Sequence, residues 1–250
     1  MAGHSHSANI ARRKNAVDAK RAKNFSKCSK ALMSAVRQGG PDPDANLKLK
    51  YAIDAAKAEN MPKDNIQRAI KSASGDKGGT DFEELTYEGY GPSGVALVIT
   101  ALTDNRHRTS ADLRHLLEKR GGNLGAPGSV AFMFDFRAIV TVERGERSED
   151  ALTEIALELL ADDVVVEAEY ATFYAKATEY LALKAGVEGA GLLIASSEMG
   201  WVPLTMAPVP DKEDARKLLK LIDAIEDHDD IQKVFANYDI DPTWIDELSS

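Results

Sequence analysis

A short polar segment, residues 72–80 (SASGDKGGT), divides this chain into two parts that differ in both charge and hydrophobic pattern. Residues 1–75 contain 15 Lys and Arg against 6 Asp and Glu, whereas residues 76–250 contain 16 against 34. Segments rich in Gly and Ser that lack large apolar side chains are typical of linkers. The sequence therefore predicts at least two folded units, and the overall charge of −9 conceals a strongly basic first unit.

Three short amphipathic helices are predicted in the basic unit. Between Val17 and Gln38, apolar residues recur at steps of three and four, which is the period of a helix with one buried face. Asp42 or Asp44 is expected to cap a second helix, and Pro62 is suited to the first turn of a third. Three such helices with brief connections predict a helical bundle.

Strands and helices alternate after the linker, so the predicted fold class is α+β with three domains. A buried strand at 95–102, a helix, and an alternating strand at 130–136 form one half of a ferredoxin-like sandwich. A second half is predicted only after residue 204. The expected domains are a bundle at 1–75, a discontinuous ferredoxin-like domain at 80–136 plus 204–242, and an inserted α+β domain at 137–203. The alternative is a sequential arrangement in which each α+β domain is continuous.

The first predicted helix carries a stripe of lysines on the face opposite its apolar residues. Lys20, Lys23, Lys27 and Lys30, here called the lysine stripe, recur at steps of three and four, while Arg21 lies off it. Like charges at this spacing repel each other, which favours a functional use over a merely solvated face. Phosphate groups of a nucleic acid are the expected ligands.

A second basic group surrounds the start of the helix that follows strand 95–102. Arginines beside a helix amino terminus can hold a phosphate, and the alternative is surface salt bridges to nearby carboxylates. The complete set of candidate nucleic-acid-binding residues is Arg12, Arg13, Lys14, Lys20, Arg21, Lys23, Lys27, Lys30, Arg106 and Arg108.

No arrangement of nucleophile, base and orienting group is indicated, so we expect neither catalysis nor a cofactor or metal. The acidic run of Asp227, Asp229 and Asp230 is interpreted as a solvated loop rather than a cation site. The chain has one cysteine and no apolar run of membrane-spanning length. A cytoplasmic monomer without membrane contact is therefore expected.

Motifs distributed along the chain closely resemble the YebC family, which includes the mitochondrial translational activator of cytochrome oxidase. They are MAGHS at the start, D-A-K-R-A-K-x-F at 18–25, N-M-P-K-D-N-I-x-R-A-I at 60–70, Y-E-G-Y-G-P at 87–92, T-D-N-R at 103–106, G-G-N-L-G at 121–125, G-S-V-A-F-M-F at 128–134 and D-D-I-Q-K-V-F-A-N at 229–237. The chain departs from the family pattern at His6 and Ser7, where Lys-Trp is usual, at Ala22, where Gly is commoner, and at His107, where Asn is usual.

The resemblance implies a cytoplasmic three-domain protein without catalytic activity, described in the family as a DNA-binding transcriptional regulator. Related members act at the ribosome and relieve stalling. The expected function is therefore regulation of gene expression by binding DNA or ribosomal RNA through the basic bundle, with the ribosome as a further partner. Two alternatives are an adaptor whose acidic domains bind a basic protein and an enzyme that uses Asp104, Arg106 and His107 in a cleft.

Overall fold

The computed structural model describes residues 17–75 and 81–248, which fold into helices and mainly antiparallel sheets. The helices are α1 (Val17–Gly39), α2 (Leu47–Ala58), α3 (Lys63–Gly75), α4 (Arg106–Lys119), α5 (Glu149–Glu158), α6 (Tyr180–Gly189), α7 (Lys212–Glu226) and α8 (Pro242–Leu248). The strands are β1 (Glu83–Tyr90), β2 (Ala96–Thr103), β3 (Asn123–Leu124), β4 (Phe134–Glu143), β5 (Asp163–Val166), β6 (Tyr170–Lys176), β7 (Ile194–Pro203), β8 (Ala207–Pro208), β9 (Ile231–Ala236) and β10 (Tyr238–Asp239). The predicted α+β class is confirmed.

Helices α1, α2 and α3 pack around one apolar core. Leu32 and Leu49 are fully buried there, and Ile66 is 5% exposed. The cap of α2 differs from the prediction, because Asn46 rather than Asp42 or Asp44 occupies that position. The buried Asn46 amide donates to two carbonyl oxygens near the end of α1, and its oxygen accepts from the first turn of α2, so one side chain joins both helices.

The first sheet has the strand order β3-β1-β2-β9, with all neighbours antiparallel. Strand β2 is buried on both faces, as its apolar sequence predicts. Helices α4 and α7 pack through Leu113 and Leu218 against the face that carries Leu97 and Ile99. The opposite face, which includes Val98, packs against the beginning of β4.

The second sheet has the order β5-β6-β4-β7, again antiparallel. Val140 and Phe173 form its fully buried core with Leu152 of α5 and Leu183 of α6. The chain then leaves this sheet, and β9 pairs with β2 of the first sheet. The division into domains stays a prediction.

Two strands differ from the sequence analysis. Residues 131–133 form a short 3₁₀ helix, and the strand expected at 130–136 begins at Phe134 and continues through the second sheet to Glu143. A strand at 83–90, which the analysis did not include, takes a central place in the first sheet. Its sequence, EELTYEGY, is largely polar, and three of its eight residues are exposed, so it carries no apolar run.

The bundle is held against the second sheet by a polar cluster. Asp54 of α2 accepts a hydrogen bond from the Tyr180 hydroxyl and another from Lys184 Nζ at 2.6 Å. Tyr180 is 3% exposed, and both its burial and the neighbouring Asp54 raise the pKa of its hydroxyl, which therefore remains a hydrogen-bond donor. Within the described part of the chain, no helix is both long and apolar enough to cross a membrane.

The buried carboxylate of Glu88 fixes the connection between the two sheets. It accepts hydrogen bonds from the backbone N–H groups of Gly128, Val130 and Ala131 at 2.6 to 2.7 Å. Burial alone would raise the pKa of Glu88, but the three donors outweigh that effect, so its pKa is lowered. The carboxylate therefore holds in place the loop that leads from the first sheet into β4.

We predict that Glu88→Ala lowers the free energy of unfolding by about 3 kcal/mol, because three backbone donors lose their charged acceptor. Urea unfolding followed by circular dichroism measures this change. Glu118→Ala, which removes an exposed carboxylate from α4, is the control and should change stability by no more than about 0.5 kcal/mol. Equal stability of the two variants would contradict the role assigned to Glu88.

Candidate nucleic-acid interface

The lysine stripe faces the rest of the protein. Leu32 and Val36 of α1 are buried in the bundle core, and Phe25 and Cys28 pack against it, as the period of α1 predicts. The opposite face of α1 lies against residues 227–230, the acidic loop that joins α7 to β9.

Three lysines of the stripe contact this region directly. Lys27 Nζ donates to the backbone oxygen of Glu226 at 2.5 Å, and Lys30 Nζ donates to the backbone oxygen of Asp229 at 3.0 Å. Lys23 Nζ lies 3.7 Å from a carboxylate oxygen of Asp227. The carboxyl end of a helix carries partial negative charge, so lysines are favourably placed at the end of α7. Burial lowers the pKa of Lys27, against the opposing effect of Glu226.

Asp230 is the central acceptor of the acidic loop. Its carboxylate accepts from Lys30 Nζ at 3.2 Å, Arg108 Nη2 at 2.8 Å, Thr109 Oγ1 at 2.9 Å and Thr103 Oγ1 at 3.2 Å. These four donors lie on α1, α4 and β2. Burial would raise the pKa of Asp230, but the hydrogen bonds from Arg108, Thr109 and Lys30 lower it to about 2. The carboxylate is therefore charged at neutral pH and joins three elements.

The acidic run is solvated, as its sequence predicts, at Asp227 and Asp229, but not at Asp230, which is only 4% exposed. The reason for the difference is that its partners are distant in sequence, with Lys30 separated from it by 200 residues. Local charge patterning carries no information about such a contact.

Apart from Arg108, which binds Asp230, the remaining candidate residues whose side chains are described have their partners outside the acidic loop. Arg106 is exposed, with Nη1 3.5 Å from a Glu83 oxygen, whereas Arg108 also binds Asp104 at 2.7 Å. Arg21 is exposed and lies over the Phe25 ring. Lys20 belongs to α1, while its side chain lies outside the described part of the structure. Three further candidates lie outside the described residues altogether, namely Arg12, Arg13 and Lys14.

A cleft of about 580 Å³ lies beside the contact between α1 and the acidic loop. It is lined by Lys23, Lys30, Phe82, Asp104, Arg108, Asp227, His228, Asp229 and Asp230. The residues considered for catalysis do not converge in it, since Arg106 and His107 are exposed at the start of α4 and neither lines the cleft. The buried carboxylate of the cleft, Asp230, has both oxygens occupied by donors. Among the described residues, no group of His, Cys, Asp and Glu side chains could hold a metal.

Helix α3 also presents cations to solvent, which the candidate set omitted. Lys63, Arg68 and Lys71 are exposed, and the apolar period of α3 would have revealed this face.

Comparison with known proteins gives matches over almost the whole chain. The family model described as the TACO1/YebC protein N-terminal domain matches residues 5–76, and the one described as the TACO1/YebC second and third domain matches residues 82–238. A probable transcriptional regulatory protein of Sulfurihydrogenibium sp. is 44% identical over 249 residues, which is 99% of each chain. A protein of the same description from Halothermothrix orenii is 45% identical and covers 100% of this chain and 99% of its own.

The fold is also similar to a crystal structure. A conserved hypothetical protein from Aquifex aeolicus has a TM-score of 0.79 and 43% sequence identity, covering 90% of this chain and 93% of that one. The similarity therefore extends across both the bundle and the sheets.

We predict that Asp230→Asn lowers the free energy of unfolding by about 3 kcal/mol at pH 7, because Lys30 and Arg108 lose their charged partner. The pKa of Asp230 lies below the value of about 3.9 in an unfolded chain, so its stabilising effect is present above pH 4 and is lost as the pH falls toward 2. Urea midpoints measured from pH 7 to pH 2 should therefore fall less steeply for the variant. Asp64→Asn on the exposed side of α3 is the control. Parallel pH profiles for wild type and Asp230→Asn would contradict this assignment.

Proposed function

The chain belongs to the TACO1/YebC family, and we therefore propose that it is a regulator of gene expression that binds nucleic acid through its amino-terminal helical bundle. The observation that carries this proposal is the distribution of charge. The basic residues are concentrated in one small folded unit, and the rest of the chain is strongly acidic. Such a unit attracts a phosphate backbone through Coulomb attraction and the release of counterions.

Relatives support the proposal through their description as probable transcriptional regulatory proteins. The bundle offers two groups of cations to a phosphate backbone. One group is the exposed cations of α3, and the other is the lysine stripe, of which Lys23, Lys27 and Lys30 already contact oxygen atoms of the protein's own chain. The stripe becomes available to phosphates only when the acidic loop releases it.

Duplex DNA and ribosomal RNA present the same phosphate chemistry to these lysines. Whether the protein acts in transcription or at the ribosome therefore depends on which nucleic acid it binds in the cell. Crosslinking in cells followed by sequencing of the bound DNA and RNA makes that distinction. Recovery of ribosomal RNA without promoter DNA supports a translation factor, and the opposite recovery supports a transcriptional regulator.

An adaptor that binds a basic protein is the second candidate. The observation that favours it is the acidic loop itself, since Asp227, Asp229 and Asp230 hold lysines in this structure. In that case the acidic surface would bind the partner and the bundle would be merely solvated.

We predict that the full chain binds both a short DNA duplex and a single-stranded RNA with an affinity that falls steeply with salt. If about 3 to 5 phosphates are contacted, log K against log salt has a slope of about −3 to −4.5 for the duplex and about −2 to −3.5 for the single strand. Fluorescence anisotropy at several KCl concentrations measures this slope. Absence of binding at low salt, or an affinity independent of salt, would contradict nucleic-acid binding and favour the adaptor.

A further inference from the structure

We propose that the protein meets the phosphate groups of a nucleic acid primarily with the outer face of α3, formed by Lys63, Gln67, Arg68 and Lys71. This inference rests on the proposed function and assigns its binding surface. The surface is called the α3 face below.

The α3 face lies on the solvent side of its helix, because the other side of α3 is buried in the bundle. Ile66, Ala69 and Ala73 point into the bundle core and are each less than 9% exposed. At 100° per residue, Arg68 and Lys71 lie on the side of α3 opposite these apolar residues, and Lys63 lies at the edge of that side. The cations of α3 therefore extend into solvent while their own helix is anchored by packing.

The α3 cations also differ from the lysine stripe in their partners. Within the described residues, the side chains of Lys63, Arg68 and Lys71 form neither a hydrogen bond nor an ion pair. By contrast, Lys30 is bound to Asp229 and Asp230, and its side chain is only 22% exposed. An unpaired lysine meets a phosphate without first breaking a contact in the protein. The α3 face is thus available in the structure as it stands.

The dimensions of the α3 face suit a phosphate backbone. From Lys63 to Lys71 the helix rises about 12 Å, at about 1.5 Å per residue, which matches the length along a duplex axis that holds about three to four phosphates of one strand at about 3.4 Å each. Gln67 lies between the two lysines and is exposed, so it adds an uncharged donor. Lys57 at the end of α2 is also exposed and extends the positive charge toward the beginning of α3.

The single carboxylate on α3 allows the effect of charge on binding to be tested in the opposite direction. Asp64 is exposed in the first turn, where the partial positive charge at the helix amino terminus stabilises it. It lies among the three cations and repels a phosphate. Removing its charge should therefore tighten binding, whereas reversing the charge of its neighbours should weaken it.

Two exposed cations outside the bundle lie beside acidic residues. Arg114 and Lys119 of α4 are exposed and unpaired within the described residues, but Asp112 and Glu118 lie beside them on the same helix. They belong to the acidic part of the chain. For this reason they serve as controls and not as a second proposed surface.

The test compares two triple variants of the full chain that change the charge equally. The α3 variant is Lys63→Glu, Arg68→Glu and Lys71→Glu, and the control is Arg114→Glu, Lys119→Glu and Lys220→Glu, all at exposed positions.

The probes are a short random-sequence DNA duplex and a single-stranded RNA, titrated between about 50 and 200 mM KCl. The α3 variant should bind at least about 10-fold more weakly, and its salt slope should be smaller in magnitude by about 2 to 3. The control should stay within about 3-fold of wild type, because its residues contact no phosphate.

Two further variants make the result independent of folding defects. Asp64→Asn should tighten binding by about 2-fold, a gain that an unfolded protein cannot produce. A neutral set, Lys63→Gln, Arg68→Gln and Lys71→Gln, replaces the glutamate set if circular dichroism shows loss of helix. Weakening by either set on either probe supports the α3 face, and a weakening on one probe alone shows that this face prefers that nucleic acid.

The binding of the wild type tests the proposed function, and the comparison of the variants tests the α3 face. Absence of binding by the wild type to both probes contradicts nucleic-acid binding as such. If the wild type binds and the α3 variant binds as tightly as the control, the α3 face is overturned while the function stands. A loss confined to Lys23→Glu, Lys27→Glu and Lys30→Glu would likewise overturn it and assign the phosphates to the lysine stripe.

Discussion

The carboxylate of Asp230 is the contact on which the arrangement of the basic bundle depends. It accepts hydrogen bonds from Lys30 of α1, from Arg108 and Thr109 of α4, and from Thr103 of β2. A buried carboxylate without partners would be strongly unfavourable, so each donor is required to keep the charge in the interior. One of these donors belongs to the bundle, and the other three belong to the first sheet and to α4. The hydrogen bonds to the Asp230 carboxylate therefore also set the direction in which α1 faces.

That orientation explains why two basic faces of one bundle have different roles. The lysine stripe faces inward to the acidic loop and the end of α7, and Asp54 holds the other side of the bundle to the second sheet through Lys184. Helix α3 contributes apolar side chains to the core and leaves its cations in solvent. In our account the stripe therefore positions the bundle, and the α3 face meets the nucleic acid. The acidic charge of the remaining chain keeps a polyanion away from other surfaces.

Local patterns in the sequence predicted much of this structure and failed at specific contacts. The period of α1 predicted its buried face, and the apolar run of β2 predicted a strand buried on both faces. The polar strand β1 was missed because only its neighbours in the sheet make it a strand. The partners of Lys27 and Lys30 lie about 200 residues away, so helical periodicity identified the stripe correctly but could not show what it binds. The same limit made Asp230 look like part of a solvated loop.

Hydrogen–deuterium exchange of the full chain, with and without a bound nucleic acid, shows which face of the bundle meets the phosphates. It reports both the surface that the nucleic acid covers and any contacts within the protein that open. We expect slower exchange in α3 when a DNA duplex or an RNA is bound, with unchanged exchange in α1 and residues 227–230. Faster exchange in residues 227–230 together with protection of α1 would contradict this expectation, because the lysine stripe would then have exchanged the acidic loop for phosphates.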